Sequence, residues 1–293
     1  MLFLRKRTRS MGVRSRRKRN RRKQLIKRII LFVLILILAI VLLVIVSKKD
    51  KKDEPENENV LQENVQSDVQ EEVIPSLTLE EVQAMSAGEI LEEELLTAEL
   101  TEQLFYQTEI TEEVKQRIWN VSYKENAQIS LDNLRYIRVL HRGFDEKTHI
   151  GEMIVNKIIA EDVLEIMREL YANDYLIEKM FLIVEYGADD EASMQDNNSS
   201  AFNYRMVANT NTLSRHGMGM AVDINPKYNP YVVKQSNGQV WISPENGKEY
   251  ADRTQDFLGK IAANDLCVQL FAEHGFSWGG YWSEPKDYQH FER

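Results

Sequence analysis

An unbroken apolar run near the N-terminus constrains this chain more than any other feature. Residues 29–46 read IILFVLILILAIVLLVIV and are flanked by Lys27-Arg28 and Lys48-Lys49. A helix of this length rises about 27 Å, which is enough to cross the hydrocarbon core of a bilayer. A buried core helix would carry polar residues at helical spacing, and this run has none. The sequence therefore predicts a single transmembrane anchor over residues 29–46.

A cleaved signal peptide is the alternative interpretation of this run. Such a signal has a shorter apolar stretch and a small-residue cleavage site, whereas this run ends in Ser47-Lys48-Lys49-Asp50. The first 28 residues contain fourteen Lys and Arg and no acidic residue. Because positive charge is retained on the cytoplasmic side, we predict a basic cytoplasmic head over residues 1–28. The rest of the chain is then exported, and the protein is a single-pass protein of the cell membrane with its C-terminal domain outside.

The charge of the chain is strongly divided. All 46 acidic residues but only 23 of the 37 Lys and Arg lie after residue 28. An acidic body repels nucleic acid, so the composition argues against a nucleic-acid enzyme. The basic head serves as a topology signal and attracts anionic lipid headgroups. An arm that binds nucleic acid is the alternative for the head alone.

The segment that follows the anchor changes character at about residue 78. Residues 47–77 are dominated by Lys, Asp, Glu, Asn and Gln without sustained periodicity, which predicts an acidic disordered linker. Residues 78–117 are also acidic, but Leu, Ile and Val recur, and Thr78-Leu-Glu-Glu81 resembles a capping box. We predict a helical stalk over residues 78–117.

A folded domain is predicted over residues 118–293. Its periodicity indicates strands over 135–140, 151–156, 181–184 and 221–225, and helices over 157–173 and 254–273, the second of which ends at His274-Gly275. Strands interleaved with two helices, without a regular βαβ repeat, indicate a compact α+β domain. The single cysteine, Cys267, lies in an apolar helical stretch and is interpreted as a core residue that forms no internal disulfide.

Two segments of this domain carry metal-binding types of side chain. The first contains His216 and Asp223, and in a strand over 221–225 Asp223 points to the opposite face from Val222. Two glycines between His216 and Asp223 form a flexible path that could return the imidazole to the same face. The second segment is Asp287-Tyr-Gln-His290. Two His and one Asp supply three ligands to zinc and leave a fourth position for water, and Asp287 remains to accept a proton from that water.

Each of these histidines also has a structural interpretation. A lone histidine in a loop is more often a hydrogen-bonded structural residue than a ligand, and the compact His-x-x-x-His motif of other zinc peptidases is missing. The combination of two histidines with two suitably placed carboxylates is what predicts a metal centre. Other divalent ions share these ligand preferences, so the ligand types alone do not single out zinc.

Both segments together resemble a known family. Ser-x-His-x-x-Gly-x-Ala-x-Asp, followed near the C-terminus by Trp-Gly-Gly and Asp-x-x-His-Phe, resembles the peptidoglycan metallopeptidases that include D-alanyl-D-alanine carboxypeptidases and L-alanyl-D-glutamate endopeptidases. The resemblance covers about residues 130–293. It implies the small α+β zinc fold that these enzymes share with the zinc domain of hedgehog proteins. It also implies that His216, Asp223 and His290 bind Zn²⁺ and that Asp287 is the catalytic base.

One residue distinguishes the branches of this family. D-Ala-D-Ala dipeptidases and vancomycin-resistance carboxypeptidases have Glu as the base, whereas this chain has Asp287. The chain is therefore more similar to the endopeptidase-type branch, which includes phage endolysins. Because members of that branch are often described under the carboxypeptidase name, the resemblance leaves the bond that is cut open.

Three further residues are candidates for contact with substrate. Arg205 is predicted to bind a substrate carboxylate or the developing oxyanion, since a guanidinium is always charged and offers a fork of donors. Its structural alternative is an ion pair with Asp189 or Asp190. Ser214 is predicted to orient a ligand or substrate, with a turn role as the alternative. Trp282 is predicted to line the cleft, with aromatic packing around the two glycines as the alternative.

The resulting hypothesis is a membrane-anchored zinc peptidase that hydrolyses peptidoglycan stem peptides outside the cytoplasm. Two alternatives from other classes remain. In the first, the domain is a catalytically silent, zinc-containing module that binds cell wall. In the second, the chain is a membrane-tethered scaffold that works through residues 78–117. The expected partners are stem peptides and the membrane, without nucleic acid, and the sequence indicates no particular protein partner.

Overall fold

The computed structural model describes residues 76–125, 127–207 and 210–293. The predicted head, the predicted anchor and nearly all of the predicted linker lie outside these residues. Among the residues that are described, no helix is both long and apolar enough to span a bilayer.

The largest element is a four-stranded antiparallel sheet with the strand order β1-β4-β3-β2. Its strands are β1 (Ile90–Leu91), β2 (Tyr106–Thr108), β3 (Leu134–Arg142) and β4 (Thr148–Asn156). The two long central strands pair along their whole length, from Leu134 opposite Asn156 to Arg142 opposite Thr148. The strands predicted over 135–140 and 151–156 are thus confirmed, and both are longer than predicted.

Six short to medium helices accompany the sheets in the described part of the chain. They are α1 (Leu79–Ala84), α2 (Ala98–Gln103), α3 (Glu112–Ile118), α4 (Ala160–Ala172), α5 (Asp190–Gln195) and α6 (Leu266–Glu273). Short 3-10 segments occur at Glu93–Leu95, Leu131–Asn133, Ile183–Tyr186, Glu245–Ala251 and Gly279–Tyr281. Helix α4 confirms the prediction over 157–173, and its apolar stripe of Val163, Ile166 and Leu170 is buried in the main core.

Residues 78–117 are not the helical stalk that the sequence predicts. Three short helices in this segment alternate with strands β1 and β2, which form both edges of the four-stranded sheet. Leu91, Leu100 and Phe105 are buried in the main core. The sequence did not predict strands β1 and β2, because acidic residues occupy the exposed positions and the apolar residues between them are too sparse to show a strand period. The capping box at Thr78 and Glu81 is present as predicted.

Two other predicted elements also differ from the structure. No strand forms over 181–184, where Leu182 leads into the 3-10 turn Ile183–Tyr186. The helix predicted over 254–273 is confined to Leu266–Glu273. In the preceding stretch the Asn229 side chain donates to the carbonyl of Gly259 and accepts from the amide of Ile261, so this backbone is satisfied without a helix. Helix α6 does end before Gly275, whose φ is +78°.

Two three-stranded sheets form the C-terminal part of the chain. One has the order β5-β10-β8 and the other β7-β6-β9. Their strands are β5 (Ala221–Asp223), β6 (Tyr231–Lys234), β7 (Val240–Ser243), β8 (Ser277–Trp278), β9 (Lys286–Asp287) and β10 (His290–Glu292). The mixture of helices and antiparallel sheets agrees with the α+β class predicted for the domain. Cys267 is fully buried in the core, as expected.

Candidate metal centre

Two strands from opposite ends of the C-terminal part bring two of the predicted ligands together. Strand β5 pairs with β10 in the register that sets Asp223 opposite His290 and Val222 opposite Phe291. Directly opposed residues of an antiparallel pair share one face of the sheet. Val222 and Phe291 are fully buried, and Phe271 stacks on Phe291 with ring centroids 4.1 Å apart. Burial of this apolar face directs Asp223 and His290 to the other face.

His216 completes a group of three. One ligand atom from each of His216, Asp223 and His290 lies within 4.8 Å of the others. The Nε2 atom of His216 lies 3.2 Å from Asp223 Oδ2 and 3.1 Å from His290 Nδ1, and His290 Nδ1 lies 3.0 Å from Asp223 Oδ1. Both histidines are only 6% exposed. Of the described residues, this is the one group of three His, Cys, Asp or Glu whose geometry could hold a metal ion.

The loop that carries His216 is packed tightly rather than flexible. A Cβ atom on Gly217 would lie 2.8 Å from the carbonyl oxygen of Arg205, and Gly219 has a φ of +67°. A Cβ on Gly219 would lie 2.7 Å from the amide nitrogen of Asn156, which donates to the Gly219 carbonyl. The two glycines therefore allow a fixed, close turn against strand β4, and the expected flexible path is corrected.

The hydrogen bonds of His216 leave one ring nitrogen free to bind a metal. Its Nδ1 lies 2.6 Å from the carbonyl oxygen of Ala201. A carbonyl oxygen only accepts, so Nδ1 carries the proton and Nε2 presents a lone pair towards Asp223 and His290. Metal-binding histidines commonly donate their second nitrogen in this way, which fixes the ring orientation.

His290 is held by two carboxylates. Its Nδ1 faces Asp223, and its Nε2 lies 3.2 Å from Glu292 Oε2. Burial alone would lower the pKa of His290, but the hydrogen bonds to Asp223 and Glu292 raise it to about 10. Burial would likewise raise the pKa of Asp223, and the two histidines hold it well below its usual range instead. The metal-free group thus holds a proton between His290 and Asp223, where a cation would replace it.

Asp287 lies close to this group but is not one of its three members. It lies in β9 opposite Tyr231, and its Oδ1 atom is buried without a hydrogen-bond partner among the described residues. Burial raises the pKa of Asp287 to about 6, and the nearby His290 opposes this shift. A Cβ atom on Gly279 would lie 2.6 Å from the Asp287 carbonyl oxygen, so the first glycine of Trp-Gly-Gly permits this close approach.

The three predicted substrate-binding residues have different surroundings. Arg205 forms an ion pair with Asp190, which is the structural alternative that the sequence left open. The Ser214 hydroxyl accepts from the amide of Gly217 at 2.9 Å, which is a turn role. Trp282 contacts the candidate metal group directly, since its ring centroid lies 5.5 Å from that of His290. All three residues line one cavity together with the metal group.

This cavity has a volume of about 560 Å³. Its polar lining consists of the metal group and Asp287, together with Glu191, Gln289 and Glu292. Its apolar lining includes Val207, Val233, Tyr231 and Trp241, and the last three belong to the β6–β7 hairpin. A cleft with apolar lining and a few convergent polar groups is the usual form of a site for a small molecule or peptide.

The residues fit a zinc ion as judged by their donor set. Two imidazole nitrogens and one carboxylate are common zinc ligands, and a site with three protein ligands retains an open position. Asp287 lines the same cavity, and its orphaned oxygen is explained if the carboxylate acts on a molecule bound there.

Sequence reasoning missed Glu292 and the hairpin aromatics. Glu292 follows His290 by two residues, so the period of a strand places both on one face, and this signal was available. Tyr231 and Trp241 lie in strands that carry no metal-binding residue, and only the tertiary structure brings them to the cavity.

Comparison with known proteins supports a peptidase-type zinc site. Residues 208–293 match a family model described as D-alanyl-D-alanine carboxypeptidase. The match confirms the resemblance to the peptidoglycan zinc peptidase family, and the matched segment contains His216, Asp223, Asp287 and His290 but not Arg205. No curated protein and no solved structure was found to match the chain.

Replacing Glu292 by Gln tests the outer partner of the metal group. The amide keeps the shape of the side chain but removes the charge that orients His290 and supports its basicity. We expect the E292Q variant to bind zinc about 10–100-fold more weakly, as measured by competition with a chromophoric chelator. The variant E273Q, at the exposed end of α6, serves as control and should bind zinc like the wild-type chain. Equal zinc affinity in E292Q and E273Q would show that Glu292 does not support the site.

Proposed function

We propose that this protein is a zinc-dependent peptidase that hydrolyses stem peptides of peptidoglycan outside the cytoplasm. The observation that carries the proposal is the group of His216, Asp223 and His290 in one cavity with Asp287, whose Oδ1 atom is buried without a hydrogen-bond partner among the described residues. The family match over residues 208–293 supports a peptidase that acts on peptidoglycan. The bond that is cut is either the terminal D-alanyl-D-alanine bond or the L-alanyl-D-glutamate bond.

The side chains divide the reaction between them. His216 and His290 through their ring nitrogens and Asp223 through its carboxylate would hold the ion. When bound, zinc polarises the scissile carbonyl and lowers the pKa of water in the open position. Asp287 accepts a proton from the attacking water and returns it to the departing amine. Burial raises the pKa of the Asp287 carboxyl, which helps this group to keep the proton between the two transfers.

Arg205 can still bind substrate although it forms an ion pair with Asp190. Its side chain remains 41% exposed and borders the cavity, and Asp190 holds it there. A guanidinium held by one carboxylate retains free donors, which can bind the carboxylate of a peptide or an oxyanion. Ser214 supports the His216 loop through its hydrogen bond to Gly217, so its contribution to substrate binding is indirect.

The β6–β7 hairpin supplies the surface on which we expect the peptide to lie. Trp241 is 49% exposed, and its ring meets that of Tyr231 edge to face at 5.8 Å. Tyr231 lies directly opposite Asp287 in the sheet, so a peptide on this aromatic pair is adjacent to the proposed base. Large rigid rings provide contact area at a small cost in conformational entropy.

Replacing Trp241 by Ala tests this wall of the cavity. We expect KM to rise by about 2–10-fold with little change in kcat, because the ring contributes binding area rather than a transition-state contact. The measurement is steady-state cleavage of a soluble peptide substrate. The variant W119A removes a partly exposed tryptophan outside this cavity and should leave both constants unchanged. A fall in kcat at constant KM would contradict the assigned role.

The proposed position of the C-terminal domain, outside the cytoplasm and close to the membrane, rests on the sequence of the first 77 residues. The basic residues 1–28 and the apolar run 29–46 would anchor the chain with its C-terminal domain outside the cytoplasm. A linker over 47–77 would let the domain act on wall close to the membrane.

Product identification tests the proposed function. The purified chain is incubated with peptidoglycan and with a synthetic stem pentapeptide, with zinc and with a chelator, and the products are identified by mass. Zinc-dependent release of D-alanine would make the protein a carboxypeptidase, and cleavage between L-alanine and D-glutamate would make it an endopeptidase. A zinc-loaded chain that releases nothing from either substrate would favour the catalytically silent wall-binding module.

A further inference from the structure

A second cavity lies on the four-stranded sheet, away from the candidate metal centre. It has a volume of about 540 Å³ and shares no lining residue with the metal cavity. Its floor is one face of strands β2, β3 and β4, and its walls include the C-terminal end of helix α1, the loop 85–87 and helix α3. Residues 78–117, for which the sequence indicated no function, therefore build most of this cavity.

A buried arginine lies on the cavity floor. Arg138, in the central strand β3, is only 9% exposed and lines the cavity. It donates one hydrogen bond to the Met85 carbonyl. Among the described residues, no carboxylate oxygen lies within 4.0 Å of its guanidinium nitrogens. Buried charges are rarely left without an opposite charge, because desolvation of the ion is costly.

The nearest candidate partner for Arg138 is already engaged. Glu152 lies directly opposite Arg138 in the sheet and is 2% exposed. Arg117 binds both of its carboxylate oxygens, at 2.5 and 3.0 Å, and the Tyr136 hydroxyl donates to it at 2.8 Å. The bidentate pair directs the charge of Glu152 towards Arg117. Arg138 retains guanidinium donors that no carboxylate of the described residues takes up.

A second unsatisfied group borders the same space. Tyr106 lies opposite Arg138 in the sheet, and Thr108 follows it by two residues, so both side chains share the face of Arg138. The hydroxyl oxygen of Thr108 is buried and has no hydrogen-bond partner among the described residues. An unpaired buried hydroxyl costs free energy, and a ligand with an acceptor oxygen would satisfy both Thr108 and Arg138.

We propose that this cavity binds an amino acid or a short peptide through its carboxylate, which Arg138 and Thr108 receive. The volume suits a ligand of this size. The walls offer polar and apolar surface in similar amounts, which suits a ligand with charged ends and a short apolar side chain. Glu113 also lines the cavity and provides negative charge for the ammonium group of such a ligand. The site is independent of the metal centre and of the proposed peptidase activity.

Calorimetry with a defined probe tests this site. The full chain is treated with a chelator, so that the metal centre makes no contribution, and is titrated with an alanyl-alanine dipeptide. We expect binding of the dipeptide and at least about 10-fold weaker binding of its C-terminal amide, which lacks the negative charge. Equal binding of the two compounds, or binding of neither, overturns the proposal. Binding of inorganic phosphate without the dipeptide overturns it as well.

Four variants locate the binding. R138Q should weaken dipeptide binding at least about 10-fold, whereas R135Q, on the opposite face of the same strand, should not. Arg138 also holds the Met85 carbonyl, so T108V separates loss of binding from loss of structure. T108V removes the partnerless hydroxyl and should weaken binding while the unfolding temperature stays the same or rises. Undiminished binding in T108V and R138Q, with loss in D223A, would move the site to the metal centre and overturn the proposal.

Discussion

Replacing Asp287 by Ala is expected to abolish peptidase activity while zinc binding stays intact. Asp287 lies in the cavity of the metal group but is not one of its three members, so its removal leaves His216, Asp223 and His290 in place. A positioned general base contributes roughly 10²–10⁴-fold to a rate. We expect a loss of this size in kcat/KM on a stem pentapeptide, with unchanged zinc content by elemental analysis.

An exposed aspartate provides the matched control for this variant. Asp256 lies at the surface, where it pairs with Lys260, and D256A should cleave at the wild-type rate. Wild-type activity in D287A would remove Asp287 from the role of base. Loss of zinc together with activity in D287A would instead assign Asp287 to the metal group.

Replacing Asp223 by Ala is expected to remove both zinc and activity. Asp223 lies within 3.2 Å of both histidines and is the only anion among the three predicted ligands. Loss of this carboxylate should weaken zinc binding by more than the roughly 10–100-fold expected from an outer partner such as Glu292. Cleavage should fall to the level of the chelator-treated wild-type chain.

The two variants D223A and D287A serve as controls for each other. D223A should lose zinc and D287A should keep it, although both variants lose cleavage. A circular dichroism spectrum like that of the wild-type chain excludes unfolding as the cause in D223A. If D223A kept its zinc and its activity, the assignment of the metal group would be wrong.

The sequence was most informative where chemistry and periodicity coincide. Burial of Val222 was expected from strand alternation, and the same alternation directs Asp223 to the cavity. The paired strands around Ile137 and Met153 and helix α4 were predictable because their apolar periods are long and clear. The proximity of His216 to His290 followed only from a hypothesis about function, since 74 positions separate them.

The sequence was least informative where tertiary contacts decide the local structure. Residues 254–265 have a helical pattern, but the Asn229 side chain binds the backbone around Gly259 and Ile261 in its place. Strands β1 and β2 are two and three residues long, which is too short for a period to be visible. The burial of Arg138 beside an ion pair was not predictable either, because no sequence pattern pairs Arg117 with Glu152.

Zinc titration shows whether His216, Asp223 and His290 form a catalytic zinc site. The full chain is stripped with a chelator, zinc is returned in steps, and bound metal and pentapeptide cleavage are measured on the same samples. Cleavage should rise in proportion to bound zinc and reach its limit at one ion per chain. Full cleavage by the stripped chain, or one zinc bound per chain without cleavage of pentapeptide or peptidoglycan, would contradict this assignment.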